Sequence, residues 1–172
     1  MSTLKVNDIQ TTGGAPNLGR VINVIQTSDA SRTAISGAAG FFNYNGLDTT
    51  VTPLRSNSKF LIMYNLRLGA YQYSRRATLY VNGVLSNSGD TGANASSTGS
   101  IYDQSSGALS SATIYEHTGE YLYTHSGSSS FNITFQVYKQ DTNAIYLNRS
   151  FSYDDSARGR TVSTVTIMEV AQ

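Results

Sequence analysis

Two histidines, His117 and His125, stand in one stretch of the chain with Glu116 and Glu120. Imidazole beside carboxylate can ligate a metal ion or move a proton near neutral pH. The spacing argues against both uses: there is no tight i, i+2 histidine pair and no third clear ligand. These four read as ordinary surface or edge-strand residues. Asp154 and Asp155, with Arg158 and Arg160, form the other charged cluster. Glycoside hydrolysis needs two carboxyls facing each other across a sugar, roughly 5–9.5 Å apart. Adjacent residues on a strand or loop normally point apart, so a solvated loop or a subunit-contact salt bridge is the simpler reading. EF-hand spacing for calcium is missing as well. No G-x-S-x-G elbow and no P-loop occurs, and the absence of cysteine removes thiol nucleophiles, disulfides and thiolate zinc sites. The expectation is a protein that is not an enzyme and carries no metal and no cofactor.

Tyrosine is the unusual resource. The chain has 12 Tyr and no Trp, so rigid contact area with a polar tip must come from phenol rings. Tyr71 and Tyr73 share a face, followed at once by Arg75 and Arg76, and a Ser/Gly/Asn-rich stretch at residues 86–100 includes Asn87 and Asn94. Aromatic rings that stack on sugars, arginines and amides make this the candidate surface for contact with a host or its surface glycan. Most of the other tyrosines are expected to cap a core or to line subunit contacts. Asn94, Asn132 and Asn148 each head an N-x-S/T triplet, a match that arises by chance in so Ser/Thr-rich a chain.

The elements that must position these residues are strands. Helical periodicity is nearly absent, while period-two alternation recurs between turn signals. Residues 1–14 are extended, with Leu4, Val6 and Ile9 as apolar points, and Gly13-Gly14 then Pro16 separate them from the rest. Residues 21–27 are apolar on both faces, the pattern of a central strand. Residues 47–51 alternate up to Pro53, and residues 56–58 make a turn. In residues 59–70, Phe60, Ile62, Tyr64, Leu66 and Leu68 share one face, and Leu61 and Met63 begin a second apolar face that turns polar at Asn65 and Arg67. Asn82-Gly83 between β-rich flanks is a type I′ hairpin signal. Residues 86–100 read as a long loop. Residues 112–116 and 121–125 read as two strands around His117-Thr118-Gly119. Phe131, Ile133, Phe135 and Val137 alternate, residues 144–148 form a further short strand, and residues 161–170 close the chain with Val165 and Ile167 on one face.

At 172 residues one domain is the default. The expected architecture is all-β: an antiparallel β-sandwich, jelly-roll-like, over residues 15–172, with an extended N-terminal arm over residues 1–14. Immunoglobulin-like sandwiches share this pattern, so strand order stays open. No repeat of solenoid period is present. Charged residues make up 13% of the chain, about half the usual ~25%, so Ser, Thr, Asn and Gln must wet the surface. A weakly charged surface favours association. The net charge of +1 offers no footprint for nucleic acid, and no apolar run is long enough to insert in a membrane or to serve as an export signal.

Three segments carry a resemblance. They are Ser2-Thr3-Leu4-Lys5-Val6-Asn7-Asp8-Ile9-Gln10 with Gly13-Gly14, the Thr52-Pro53 run through a polar turn and Lys59 into Phe60-Leu61-Ile62, and Tyr146-Leu147-Asn148-Arg149-Ser150 through Gly159-Arg160 to Val170. In these the chain resembles small jelly-roll-like virion structural proteins of tailed bacteriophages, fibre-type or decoration-type, most often of marine and cyanobacterial phages. The three segments cover under half of the chain, and residues 70–130 depart from the pattern. The resemblance implies a structural protein of the virion, assembled in the bacterial host cytoplasm. It also implies a homotrimer, other virion proteins as partners, and a short tail fibre or surface appendage docked through Leu4, Val6 and Ile9. A capsid decoration protein and a carbohydrate-binding module are the rival expectations.

Overall fold

The computed structural model describes residues 19–70, 75–86, 99–101, 114–139, 142–150 and 161–172, with backbone alone at 75, 76 and 99–101. Within them the chain forms β1 (Val21–Asp29), β2 (Ala34–Ile35), β3 (Gly40–Asn43), β4 (Thr49–Val51), β5 (Lys59–Ala70), β6 (Arg75–Val81), β7 (Val84–Ser86), β8 (Gly99–Ile101), β9 (Ile114–Thr124), β10 (Phe131–Lys139), β11 (Ile145–Leu147) and β12 (Ser163–Val170). One 3-10 turn, Asn45–Leu47, precedes β4. Among the described residues no helix is long and apolar enough to cross a membrane.

Every strand pairing is antiparallel, and the pairings are nested. Taking β3 with β4, and β7 with β8, as single positions along their partners leaves eight successive units. The first pairs with the last (β1 with β12) and the second with the seventh (β3 and β4 with β10). The third pairs with the sixth (β5 with β9) and the fourth with the fifth (β6 with β7 and β8). Lateral pairing of β12 with β5, and of β10 with β6, completes two sheets, β1-β12-β5-β9 and β3/β4-β10-β6-β7/β8. A chain folded back on itself in this nested order is a jelly roll. The short β11 and β2 extend the first sheet beyond the end of β12.

The core lies between the sheets and follows the alternation in the sequence. Phe60, Ile62, Tyr64, Leu66 and Leu68 of β5 face Phe131, Ile133, Phe135 and Val137 of β10, and all nine are buried. Phe60 meets Phe131 edge-on at 4.8 Å between ring centres, and Tyr64 meets Phe135 at 5.3 Å. The Asn82-Gly83 hairpin joins β6 to β7, with φ of 51° and 73°, as a type I′ turn requires. Asn57 takes φ 61° in the expected turn before β5.

Three expectations change. Residues 114–124 form one continuous strand, where two around His117-Thr118-Gly119 were expected. The whole run is in register with β5, and Gly119 lies opposite Tyr64, whose ring occupies the space a Cβ would need. The long loop narrows at both ends, because Ser86 belongs to β7 and residues 99–101 pair with Arg75–Ala77 of β6. Most consequential, β1 is an edge strand among the described residues, pairing with β12 alone. Its outward-facing Val24 is 56% exposed.

Candidate functional site

Of the residues singled out for function, Leu4, Val6, Ile9, Tyr71, Tyr73, Asn87 and Asn94 lie outside the described residues, as do Asp154, Asp155, Arg158 and Arg160. Arg75 and Arg76 are placed by backbone only, at the start of β6 between β10 and β8. His117 and Glu116 fall on opposite faces of β9. His117 is turned into the sandwich opposite Leu66, whereas Glu116 reaches outward to an ion pair with Arg67 at 2.8 Å and a hydrogen bond from Asn65 Nδ2. His125 packs against Phe60 and Phe131, and its Nε2 lies 2.9 Å from the Ser129 carbonyl. The ring is thus a structural part of the aromatic cluster. Among the described residues no group of three His, Asp or Glu converges as a metal site.

Two acidic residues in the first sheet do hold polar networks, and both escaped the sequence reading. Glu169 alternates inward with Val165 and Ile167 and is 1% exposed. Its carboxylate accepts the Leu54 N–H at 2.9 Å, the Arg55 N–H at 3.1 Å and the Ser58 hydroxyl at 2.7 Å. The turn after Pro53 is thereby tied to β12. Asp29 ends β1, where its side chain accepts the Tyr44 hydroxyl at 2.7 Å, the Ser31 N–H and hydroxyl at 2.8 Å each, and Asn148 Nδ2 at 3.0 Å. Asn148, buried at φ 57°, accepts from the Ser163 hydroxyl and so connects β1, β11 and β12. Burial alone would raise the Asp29 pKa. The hydrogen bonds from Tyr44, Ser31 and Asn148 outweigh it and hold the carboxyl below its ordinary range. Burial pushes the Tyr44 phenol the other way, well above its ordinary range. The Asp29-Ala30-Ser31 triplet carries a local Asx-turn signal. For Glu169 the signal is a lone carboxylate at an inward strand position.

Both outer sheet faces carry apolar side chains, Phe41 and the Tyr80–Leu85 pair on one and a continuous row on the other. On the β3/β4-β10-β6-β7/β8 sheet, the Thr50 hydroxyl donates to Asn132 at 2.8 Å, Gln136 Nε2 donates to Asn43 at 3.0 Å, and Phe41 stacks at a tilt on Tyr138 at 4.9 Å. On the β1-β12-β5-β9 sheet, Val24 pairs with Met168, Met168 with Leu61 and Leu61 with Leu122. Directly opposed residues share a face, so an unbroken apolar row crosses all four strands. Val24 is 56% exposed and Leu122 53%. Val21 and Val170 pair beside the row on one flank, and Met63 lies on the other. This row is the candidate site: it offers no catalytic group, and its chemistry is that of a surface to be covered.

The fold and this surface define the class, a jelly-roll β-sandwich with an apolar row on one outer face. No protein-family profile matches the chain, and no curated protein sequence matches it. Among solved structures, it is similar to dimeric latent PorU from Porphyromonas gingivalis at 12% identity and a TM-score of 0.46, over 94% of this chain and 14% of that one. It is also similar to infectious bursal disease virus, Gx strain, at 11% identity and a TM-score of 0.39, over 87% of this chain and 37% of that one. The chain therefore spans well under half the length of either. Likenesses this weak bear on neither fold nor function, and the jelly roll rests on the strand registers alone.

Proposed function

We propose that the chain is a structural subunit of a tailed-phage virion, a short fibre or surface appendage that acts by assembling. The observation that carries this reading is the apolar row on the outer face of β1-β12-β5-β9. A monomer that stays free in water gains nothing from a row of Val, Met and Leu across four strands, whereas a subunit needs one. The nested jelly roll, the weakly charged surface and the resemblance in three segments support the same reading. In the fibre form of the proposal the body is a homotrimer.

Docking through the N-terminal arm belongs to this reading. β1 and β9 each present an edge with no partner strand among the described residues, and an extended segment can add to such an edge by backbone hydrogen bonds. Gly19 and Arg20 are bonded to Ala171 at 2.8 and 2.9 Å, so the chain enters the body beside β1. Leu4, Val6 and Ile9 would be the apolar points of an arm that docks on another virion protein. Host contact would fall to Tyr71, Tyr73, Arg75, Arg76, Asn87 and Asn94.

The test is location. Gold-labelled antibody against the chain, applied to intact particles of the phage that encodes it, is expected to decorate the tail. Label over the head replaces the fibre reading with the capsid-decoration reading. Purified particles that carry no label and yield no peptide of the chain by mass spectrometry would sink both.

A further inference from the structure

The outward positions of β1 and β5 place Val24 and Leu61 in one apolar row with Met168 and Leu122, and the two ends of that row are more than half exposed. Such a pattern implies a cover. We propose that the outer face of β1-β12-β5-β9 seats the same face of a second copy of this chain. The two copies are related by a two-fold axis lying along the row Val24–Met168–Leu61–Leu122. This deepens the structural-subunit reading and rests on it.

Two observations select a second copy over other occupants. The first is charge placement. Lys59 stands one pair from the row on one side, and Glu120 one pair from it on the other, on the neighbouring strand: Leu61 pairs with Leu122, Lys59 with Thr124 and Met63 with Glu120. Rotation about the row turns one flank onto the other. Lys59 of each copy then comes over Met63 of its mate and one strand away from Glu120. The face therefore carries its own complement, twice per dimer, which is what an isologous contact requires. With a net charge of +1 per chain, copies repel each other little.

The second is size. Four strands ~4.8 Å apart, each about nine residues long at ~3.4 Å per residue, present roughly 600 Å² in projection. Side-chain relief brings that toward the ~800 Å² per partner of a standard stable interface. A single added strand or a short peptide would leave most of it wet. The contact differs from a three-fold body, so a chain that uses both would form even multiples of a trimer.

Sedimentation velocity on the full chain across the micromolar range tests this. The parent is expected to form a dimer or a larger even multiple. Leu122→Glu and Val24→Glu, at opposite ends of the row and both more than half exposed in the single chain, are each expected to halve that mass with an unchanged circular dichroism spectrum. Lys59→Glu is expected to weaken association, and Lys59→Glu combined with Glu120→Lys to restore it. A monomeric parent overturns the proposal, and so does a parental mass retained in a folded Leu122→Glu or Val24→Glu chain. The two readings fail separately. A virion-borne chain whose mass ignores these substitutions loses the face and keeps the subunit role. A chain that dimerises through the row but is absent from particles keeps the face and loses the role.

Discussion

On the outer face of β3/β4-β10-β6-β7/β8, Asn43 meets Gln136, Thr50 meets Asn132 and Phe41 lies on Tyr138. On the outer face of β1-β12-β5-β9 the equivalent positions hold Val24, Met168, Leu61 and Leu122. The inner faces reverse the contrast. The sheet with the apolar row buries the Glu169 carboxylate and half-buries Asp29, each accepting several hydrogen bonds, while the other sheet buries Lys139. One sheet carries side-chain pairs on its outer face, where Thr78 is fully buried and Phe41 is 43% exposed. The other is pinned from within by these networks and carries the apolar row outside. Within this sheet the Asp29 network joins β1 to Asn148 and Ser163, and Glu169 ties β12 to the turn after Pro53.

The largest effect expected from this contrast is at Glu169. Glu169→Ala removes the acceptor of two backbone N–H groups and one of the two acceptors of the Ser58 hydroxyl, a loss of about 2 kcal/mol. Denaturant unfolding measures it. If the loss is under about 1 kcal/mol, the turn after Pro53 rewets freely and the carboxylate is not a pin.

Asp29 makes the same point through pH. Its folded pKa lies below the unfolded value, so its contribution to stability is present above the ordinary carboxylate pKa and is lost as pH falls through the depressed folded value. The expected signature is a stability curve that drops on the acid side in the parent and is flatter in Asp29→Asn, which starts lower at neutral pH by about 1 kcal/mol. Parallel acid limbs in the two proteins would remove Asp29 from the account.

Much of this contrast is legible in the sequence, and its legible part is the core. Period-two alternation in β5 and β10 and the Asn82-Gly83 turn all fold as their residue types dictate, because local pattern and tertiary burial agree there. The strand order is not legible locally, since the nested pairing joins residues more than a hundred positions apart, such as Val24 and Met168. The misreading of β1 as central is the instructive failure. Alternation reports that both faces of a strand are apolar, and it cannot say whether this chain or another covers them. Gly119 misled for the opposite reason: glycine signals a break, and only the ring of Tyr64 across the strand pair explains it inside one. Glu169 was hidden because its partners, two backbone N–H groups and the Ser58 hydroxyl, lie more than a hundred positions away.

Lys139 sharpens the comparison in the other direction. It is 1% exposed, its Nζ makes no hydrogen bond to the described residues, and the amine lies 5.5 Å from the centre of the Phe42 ring. A cation buried with so little compensation costs more than an apolar side chain of the same length. Lys139→Met is therefore expected to raise stability by about 1 kcal/mol, seen as a higher melting temperature. A fall of that size would mean that the ring contact more than repays the desolvation.

The smallest effect belongs to the polar exterior. Gln136→Ala removes one exposed cross-strand hydrogen bond to Asn43 and is expected to change stability by less than about 0.5 kcal/mol, because water replaces the lost partner at once. The same substitution should leave the sedimentation of the chain untouched, since it lies off the apolar row. Beside Leu122→Glu it makes a matched pair: both sit on outer strand faces, and only the one on the apolar row should alter association. If Gln136→Ala altered the mass and Leu122→Glu did not, the two faces would have to exchange roles. The polar ladder would then be the contact, and the Val24–Met168–Leu61–Leu122 row a surface the single chain simply tolerates.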